Sequence, residues 1–426
     1  LLPNGKTDTD IFIDELKKVK NIPLNSNQVF MITFEEALKV VRDQAITFDI
    51  ETISFEEAAG RVLVTAIRSD MDIPPFNKSA MDGYACRLED IAGPLRVVEV
   101  IPAGHVPVFG IEEGTCSQIM TGAIVPAGAD TVIKVEDCSV KIDDIGNERI
   151  IRFVGQKTSA NICYLGEDIK AGEVILEAGT LLDTRHIPML ATVGAVFIDV
   201  YKFPAIGILA TGTELVEPGD HPGISQIRNS NAYQSIAQLG RLGIDCDYYG
   251  IAADDVDITR DMIREAMEVN DILILSGGIS MGEFDFVPAV LESLGFEILF
   301  QQVAIQPGKP TLFGTGTGKF VFGLPGNPVS SYFILELLVK PFIYKCMSVN
   351  WAPPLLRIPS GEPFLRKHSG RQVWIPVRLD EQGRVRNIEY HGSAHIFALK
   401  DAFGIISMPI GKASIEEGEL VDVRPI

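Results

Sequence analysis

From Pro204 to Cys346 the chain alternates short apolar runs with amphipathic ones: AIGILATG, SNAYQSIAQLGRLG, CDYYGIA, DVDITRDMIREAME, DILILSGG, PAVLESLG, KFVFGLPG and PVSSYFILELLVKPFIYKC. The first kind suits strands and the second suits helices. Strict alternation of the two predicts right-handed βαβ units and a mostly parallel sheet. It also predicts where chemistry can sit, because open sheets of this type bind ligands beyond the carboxyl ends of their strands.

Three predicted strands end alike, in ATGTEL (210–215), LSGGISMGEFD (275–285) and GLPGNPVSS (323–331). These turns bring Thr211 and Gly212, then Ser276, Gly277, Gly278 and Ser280, then Gly326, Asn327 and Ser330 to one edge. Glycine lets backbone N–H groups approach an anion closely, and Pro328, just ahead of an apolar helix, sets a helix N-terminus at the same edge. Three ordinary βα turns would share this composition. Their coincidence with the acids Glu214, Asp254, Asp255, Glu283 and Asp285, all just beyond predicted strands, favours a phosphate-type site. Converging carboxylates repel phosphate unless a divalent ion lies between them, and Mg²⁺ suits one or two carboxylates plus phosphate oxygens. Glu283 or Asp285 would then hold the metal or prepare water. Asp255 has an equal claim to capping the helix that starts near Val256.

The rest of the chain reads differently. Residues 1–31 are a polar extension. TFEEALKVVRD and SFEEAAGRVL each carry a capping box, Thr33 with Glu36 and Ser54 with Glu57, and so predict two helices. Pro74 and Pro75 break the helical pattern, and short β-branched runs cut by Gly, Pro and Asp follow as far as about Gly166, which suits a small sheet or barrel. TLLDTRHIPMLATVG is expected to be helical, capped by Asp183 and stopped by Gly194. WAPP, at 351–354, reads as a linker into a last β-rich stretch.

Composition narrows the class. At 426 residues the chain should form two to four domains. No apolar stretch approaches the ~20 residues that cross a bilayer, and no secretion signal opens the chain, so no membrane partner is expected. Cysteines 86, 116, 138, 163, 246 and 346 are scattered without a C-x-x-C, which suits a reducing cytoplasm rather than a disulfide framework or zinc site. With 37 Lys and Arg against 57 Asp and Glu, the net charge of −20 argues against a nucleic acid partner.

Together with NKSAMDGYA, IMTGAIVPAGADTVI, LGEDI, QPGKP and HGSAHIFAL, these motifs stand in the order and approximate spacing of the molybdopterin molybdotransferases. From about residue 32 to the C-terminus the chain thus resembles the MoeA and gephyrin E-domain family. The resemblance implies a multidomain α/β plus β fold. A central molybdopterin-binding-like α/β domain (204–350) would be flanked by a β-rich domain (73–166), an elongated N-terminal domain (32–72 with 167–203) and a small C-terminal β domain (351–426). It implies a homodimer with its active cleft at the dimer interface, inserting molybdate into adenylylated molybdopterin with Mg²⁺ and releasing AMP. Molybdopterin adenylyltransferase and molybdoenzymes would be partners. Asp82, Thr121, Asp168, Glu214, Asp254 and Asp285 match the family's functional polar positions, and Pro325 and Pro328 match its cleft-lining turn. Ser393 lies in a GSAH loop similar to the family segment facing that cleft.

Two departures touch the substrate. Molybdate is a tetrahedral dianion and needs N–H, hydroxyl or cationic donors. Cys163 stands where many members carry Arg, and Gln302 and Gln306 stand where some carry Lys, which leaves Lys309 as the local cation. Either amide and backbone donors replace the charge, or the oxyanion differs, tungstate being one candidate. No nucleophile motif is expected, because pyrophosphate cleavage needs positioning and charge stabilisation more than a covalent nucleophile. His391 and His395 are spaced like a metal pair, but Gly392 and Ser393 between them argue against the helix that would align them. A receptor-clustering scaffold of the gephyrin type and a molybdopterin adenylyltransferase are the alternatives.

Overall fold

A computed structural model of the chain describes residues 31–142, 148–279 and 286–426, so Ser280, Glu283 and Asp285 lie outside the described residues. The chain forms two compact units. One holds residues 53–58 and 63–198, and the other holds the described residues up to Thr52, then 59–62 and 199–426.

Helix α1 (Phe34–Gln44) begins as its sequence predicts: the Thr33 N–H donates to Glu36 Oε2 at 2.8 Å and the Glu36 N–H to Thr33 Oγ1 at 3.2 Å. The second capping box does not make an α-helix. Ser54 Oγ accepts from the N–H of Glu56 rather than of Glu57, only the single 3₁₀ turn Phe55–Glu57 forms, and Gly60 at φ 85° turns the chain away. A good cap cannot propagate a helix past a residue held in the left-handed region.

The first unit is built on a six-stranded mixed sheet. Its strands are β1 (Gly83–Cys86), β2 (Leu95–Ile101), β3 (Thr115–Ile119), β4 (Thr131–Lys134), β5 (Cys138–Ile142) and β6 (Arg149–Phe153), in the order β4-β1-β3-β2-β6-β5. Tyr84, Leu95, Ile133 and Ile151 fill its core with Cys86 and Cys116, whose thiols burial pushes up to about 12. Protonated and enclosed, these cysteines act as small apolar fillers. All six cysteines of the chain are free. Helix α2 (Ile187–Thr192) is shorter than expected: Asp183 binds the N–H and guanidinium of Arg185 instead of capping, and the helix starts after His186. Gly194, at φ 68°, ends it as expected.

The second unit carries the alternating region. Strands β7 (Ile206–Thr211), β8 (Cys246–Ala252), β9 (Ile272–Ser276), β10 (Glu297–Gln302), β11 (Pro310–Gly316) and β12 (Lys319–Leu324) form one sheet in the order β8-β7-β9-β12-β11-β10. The pairs β8–β7, β7–β9 and β9–β12 are parallel; β12–β11 and β11–β10 are antiparallel. The two antiparallel strands were not legible as part of the alternation, because a short loop rather than a helix joins β10 to β11. Helices α3 (Asn231–Gly240), α4 (Val256–Val269), α5 (Val287–Ser293), α6 (Pro328–Ile334) and α7 (Lys340–Cys346) accompany the strands. One core sets Ile263, Val287 and Leu291 against Leu273, Leu275 and Val321. Elsewhere Phe322 lies 4.7 Å from Phe313, and Phe342 of α7 lies 4.8 Å from Phe320.

The same unit ends in a second sheet of β13 (Leu356–Pro359), β14 (Gln372–Leu379), β15 (Gly404–Met408) and β16 (Leu420–Pro425), in the order β14-β15-β16-β13. The short strand Ile305–Gln306 adds to β14 in parallel. No helix among the described residues is long and apolar enough to cross a membrane.

Candidate active site

Parallel pairing aligns the strand ends. Ala210 faces Ser276, Thr211 faces Ala252, and Ser276 faces Leu324, so the turns after β7, β8, β9 and β12 emerge together. Backbone bonds tie them: the Gly212 N–H donates to Ala252 O at 3.1 Å and the Gly277 N–H to Leu324 O at 3.2 Å. Thr211 and Ser276 are buried here, and Thr211 Oγ1 lies 3.5 Å from Ser276 O. Buried Asn231, at the start of α3, donates to both Ser276 Oγ (3.1 Å) and Gly326 O (2.8 Å). Sequence reading missed Asn231, since an Asn at a helix start reads as a cap; here it staples two site turns together.

The glycines play unequal parts. Gly277 has φ 97°, and a Cβ on it would fall 2.5 Å from Thr211 O. Gly278 has φ 64°, and its Cβ would meet Thr211 Oγ1 at 2.8 Å. Both are demanded by the fold. Gly326 is exposed, its φ is not positive, and a Cβ there meets nothing within 4 Å among the described residues. No packing among the described residues requires glycine at that position, and a glycine there leaves the backbone open to close approach.

Acids border these turns. Asp254 Oδ2 accepts from both the N–H (3.0 Å) and the hydroxyl (2.6 Å) of Thr213. The Glu214 carboxylate lies over Gly212, where an added Cβ would meet Oε2 at 2.3 Å. Asp255 caps α4, accepting from the Ile258 N–H at 2.8 Å. Among the described residues no group of three or more His, Cys, Asp or Glu side chains is placed to hold a metal ion. A carboxylate such as Glu214 beside phosphate oxygens nevertheless has the donor chemistry Mg²⁺ prefers.

The C-terminal sheet sends a loop to the same edge. Asn327 stands at the N-cap of α6, yet its amide makes no cap and donates instead to Ser393 Oγ at 2.9 Å. Ser393 O in turn accepts the first-turn N–H of Val329 at 3.1 Å. A helix N-terminus leaves such N–H groups unpaired, so the GSAH loop docks on α6 through a bond the helix cannot make alone. Pro325 and Ser330 are buried beside this contact, and Pro328 opens α6. His391 and His395 stack at 4.9 Å in an irregular segment rather than lying on one helix face.

Lys309 is exposed on the turn before β11. A second cation comes from elsewhere: pairing of Ile305 with Gln372 sets Arg371 beside Gln306, with Arg371 Nη2 3.4 Å from Gln306 Oε1. The two residues are 65 positions apart and no spacing linked them. In the other unit, Cys163 stands opposite Lys78 across a strand pair, and its thiol is pushed up by burial and by Glu167. A neutral thiol does not replace an arginine, but its neighbour is cationic.

Asp82 and Thr121 meet within that unit. Asp82 Oδ1 accepts from the Thr121 N–H at 2.6 Å and from Oγ1 at 2.8 Å, and these bonds, the backbone one first, hold the Asp82 carboxyl below its usual range. Asp168 is exposed, with its N–H on Ile73 O at 3.0 Å.

Three family models cover the chain in series: the MoeA N-terminal region (domain I and II) over residues 32–194, the "Probable molybdopterin binding domain" over 207–345, and the MoeA C-terminal region (domain IV) over 364–426. A molybdopterin molybdenumtransferase of Staphylococcus epidermidis is 32% identical over 402 residues, which is 92% of this chain and 95% of that one. The chain belongs to the MoeA family. A Staphylococcus aureus molybdopterin molybdenumtransferase matches this MoeA-family chain at 31% identity, over the same shares of both chains. The crystal structure of a molybdopterin biosynthesis MoeA protein from Pyrococcus horikoshii superposes with a TM-score of 0.76 at 29% identity, over 93% of this chain and 100% of the other. The family's multidomain architecture, with its central α/β domain, is therefore the architecture described above.

Proposed function

We propose that this MoeA-family chain inserts molybdate into adenylylated molybdopterin and releases AMP, as a step of molybdenum cofactor biosynthesis. The observation that carries the reading is the docking of Ser393 on Asn327 and α6. It places a distant loop on a glycine-lined strand edge, in a chain similar over 92% of its length to a molybdopterin molybdenumtransferase. Gly278 and Gly326 would let the pyrophosphate come close to the backbone of these turns, since backbone donors hold phosphate without side-chain charge, while the Gly277 N–H is taken by Leu324 O and the Val329 N–H by Ser393 O. Lys309 and Arg371 would draw the oxyanion, and Ser393 and Asn327 would orient it through neutral donors. Glu214, with Glu283 or Asp285, would hold Mg²⁺, which when bound neutralises charge developing on phosphate oxygens.

The test is AMP release by purified chain supplied with adenylylated molybdopterin, with and without molybdate and Mg²⁺. Molybdate-dependent release and formation of active cofactor are expected. AMP release that ignores molybdate would refute the transferase. Replacing molybdate by tungstate in the same assay ranks the two oxyanions. Family membership further suggests a homodimer, so sedimentation should report twice the chain mass of 46.5 kDa. A reducing, cytoplasmic setting suits the six free cysteines.

A further inference from the structure

Past the turn after β7 the chain runs out to Glu217 and returns at Ile227. The stretch between, PGDHPGISQ, carries two prolines and two glycines and has little regular structure to hold that return in place. At its base the short strands Leu215–Val216 and Ile227–Arg228 pair in parallel. The Ile227 N–H donates to Glu214 O and the Asn229 N–H to Val216 O, each at 2.8 Å. The backbone of Glu214 is thus part of a strap that leads to Glu217.

Both oxygens of the Glu217 carboxylate are engaged. The Tyr248 hydroxyl, on β8, donates to Oε1 at 2.7 Å, and the Tyr233 hydroxyl, on α3, donates to Oε2 at 2.8 Å, with the two ring centroids 5.5 Å apart. The Tyr248 oxygen in turn accepts from Asn229 Nδ2 at 2.8 Å, and the Oδ1 of buried Asn229 accepts from the Ala232 N–H in the first turn of α3 at 3.3 Å. These bonds close a ring that runs from Glu217 through Tyr248 and Asn229 to Val216 and back along the chain. Hydrogen bonds to an ionised carboxylate are about twice as strong as neutral ones, and a tyrosine has only two χ angles to freeze. Glu217 therefore anchors the strap to one strand and one helix, close in sequence to the Glu214 carboxylate that lies over Gly212.

We propose that Glu217 is a positioning residue: its clamp on Tyr233 and Tyr248 fixes the strap so that the Glu214 carboxylate stays over Gly212, where it meets Mg²⁺. The clamp stands on the bonds above; only the use of Glu214 toward the metal rests on the transferase reading. Removing a group that orients a metal-holding side chain costs about 10–100-fold in metal affinity or activity, because the ligand left behind spends its time out of place.

The probe is Mn²⁺ alone, titrated into the full chain with the free ion counted by electron paramagnetic resonance. E217A should weaken Mn²⁺ binding about tenfold and raise by a similar factor the Mg²⁺ needed for half-maximal AMP release. E217Q should stay near wild type, because its Oε1 still accepts from Tyr248 while its Nε2 donates to the Tyr233 oxygen. On an E214A background E217A should change nothing further, since a residue that acts through Glu214 has nothing left to position. A merely structural role would lower the melting temperature of E217A and leave its Mn²⁺ affinity alone. Unchanged Mn²⁺ affinity in E217A, equal losses in E217A and E217Q, or additive losses in the double variant would overturn the positioning role. AMP release that ignores molybdate, with the Mn²⁺ results as expected, would overturn the transferase reading alone.

Discussion

Asp82 in one unit and Asp254 in the other grip a threonine in the same way: a single carboxylate oxygen accepts both the backbone N–H and the hydroxyl, of Thr121 and of Thr213 respectively. The partners lie 39 and 41 positions apart. What differs is the sheet beneath. Thr213 and Asp254 both follow the ends of parallel neighbours, β7 and β8, whereas Asp82 precedes β1 and Thr121 follows β3, its antiparallel neighbour. Parallel strands gather residues from carboxyl ends alone. An antiparallel pair gathers one residue from a start and one from an end, so the same grip is built from opposite chain directions.

Removing each carboxylate tests whether the two grips share a use. D82A and D254A should each lower kcat for AMP release by about 10²-fold or more if both serve the reaction, because losing one placed polar group at a reacting centre costs about that. Melting temperatures should move little, since neither side chain is a core residue. If one variant retains full turnover, the two grips are alike in form and unlike in use.

Two glycines of the α/β edge should respond differently to the same substitution. G277A forces a Cβ to 2.5 Å from Thr211 O at a φ of 97° and should cost about 1–3 kcal/mol, read from denaturant unfolding. G326A meets nothing among the described residues and should leave unfolding unchanged while raising KM for the adenylylated substrate. An unchanged KM would remove Gly326 from the site.

Smaller effects separate the two donors of each grip. T121V and T213V delete the hydroxyl and keep the N–H, so each should cost about 0.5–1.5 kcal/mol, seen as a several-fold fall in kcat/KM. The smallest effect is on pH dependence. The Asp82 carboxyl is held below its ordinary value of 3.8, so its contribution to stability is full above that value and is lost as pH falls through the lower folded value. Melting curves taken from about pH 5 down to about pH 2.5 should show wild type losing ground relative to D82N. Parallel curves would mean the bonds to Thr121 are as strong to the neutral acid.

Much of the α/β unit was legible. Apolar periodicity located β7, β8, β9 and β12 with their helices, and Asp255 proved to be the cap of α4. The edge rule for parallel sheets then gathered Thr211, Ser276, Gly277 and Gly326 into one place before any contact was known. Strands β10 and β11 were missed because no helix separates them, and the helix expected after Ser54 failed because its cap sits ahead of a glycine turn. Asn231 and Arg371 were missed for another reason. Each acts through a partner 45 to 95 residues away, at Ser276, Gly326 or Gln306, and no local pattern marks such a partner.

Local chemistry along the chain accounts for what depends on sequence neighbours: the period of the strands and helices, the caps of α1 and α4, and the glycines whose positive φ the turns after β7 and β9 require. Those are energies of a few residues. The tertiary structure alone decided that Ser393 meets Asn327, that Arg371 stands beside Gln306, and that Thr121 closes on Asp82. These contacts follow from strand order and sheet register, which are set by the packing of whole faces against one another, and no short stretch of the chain contains that information.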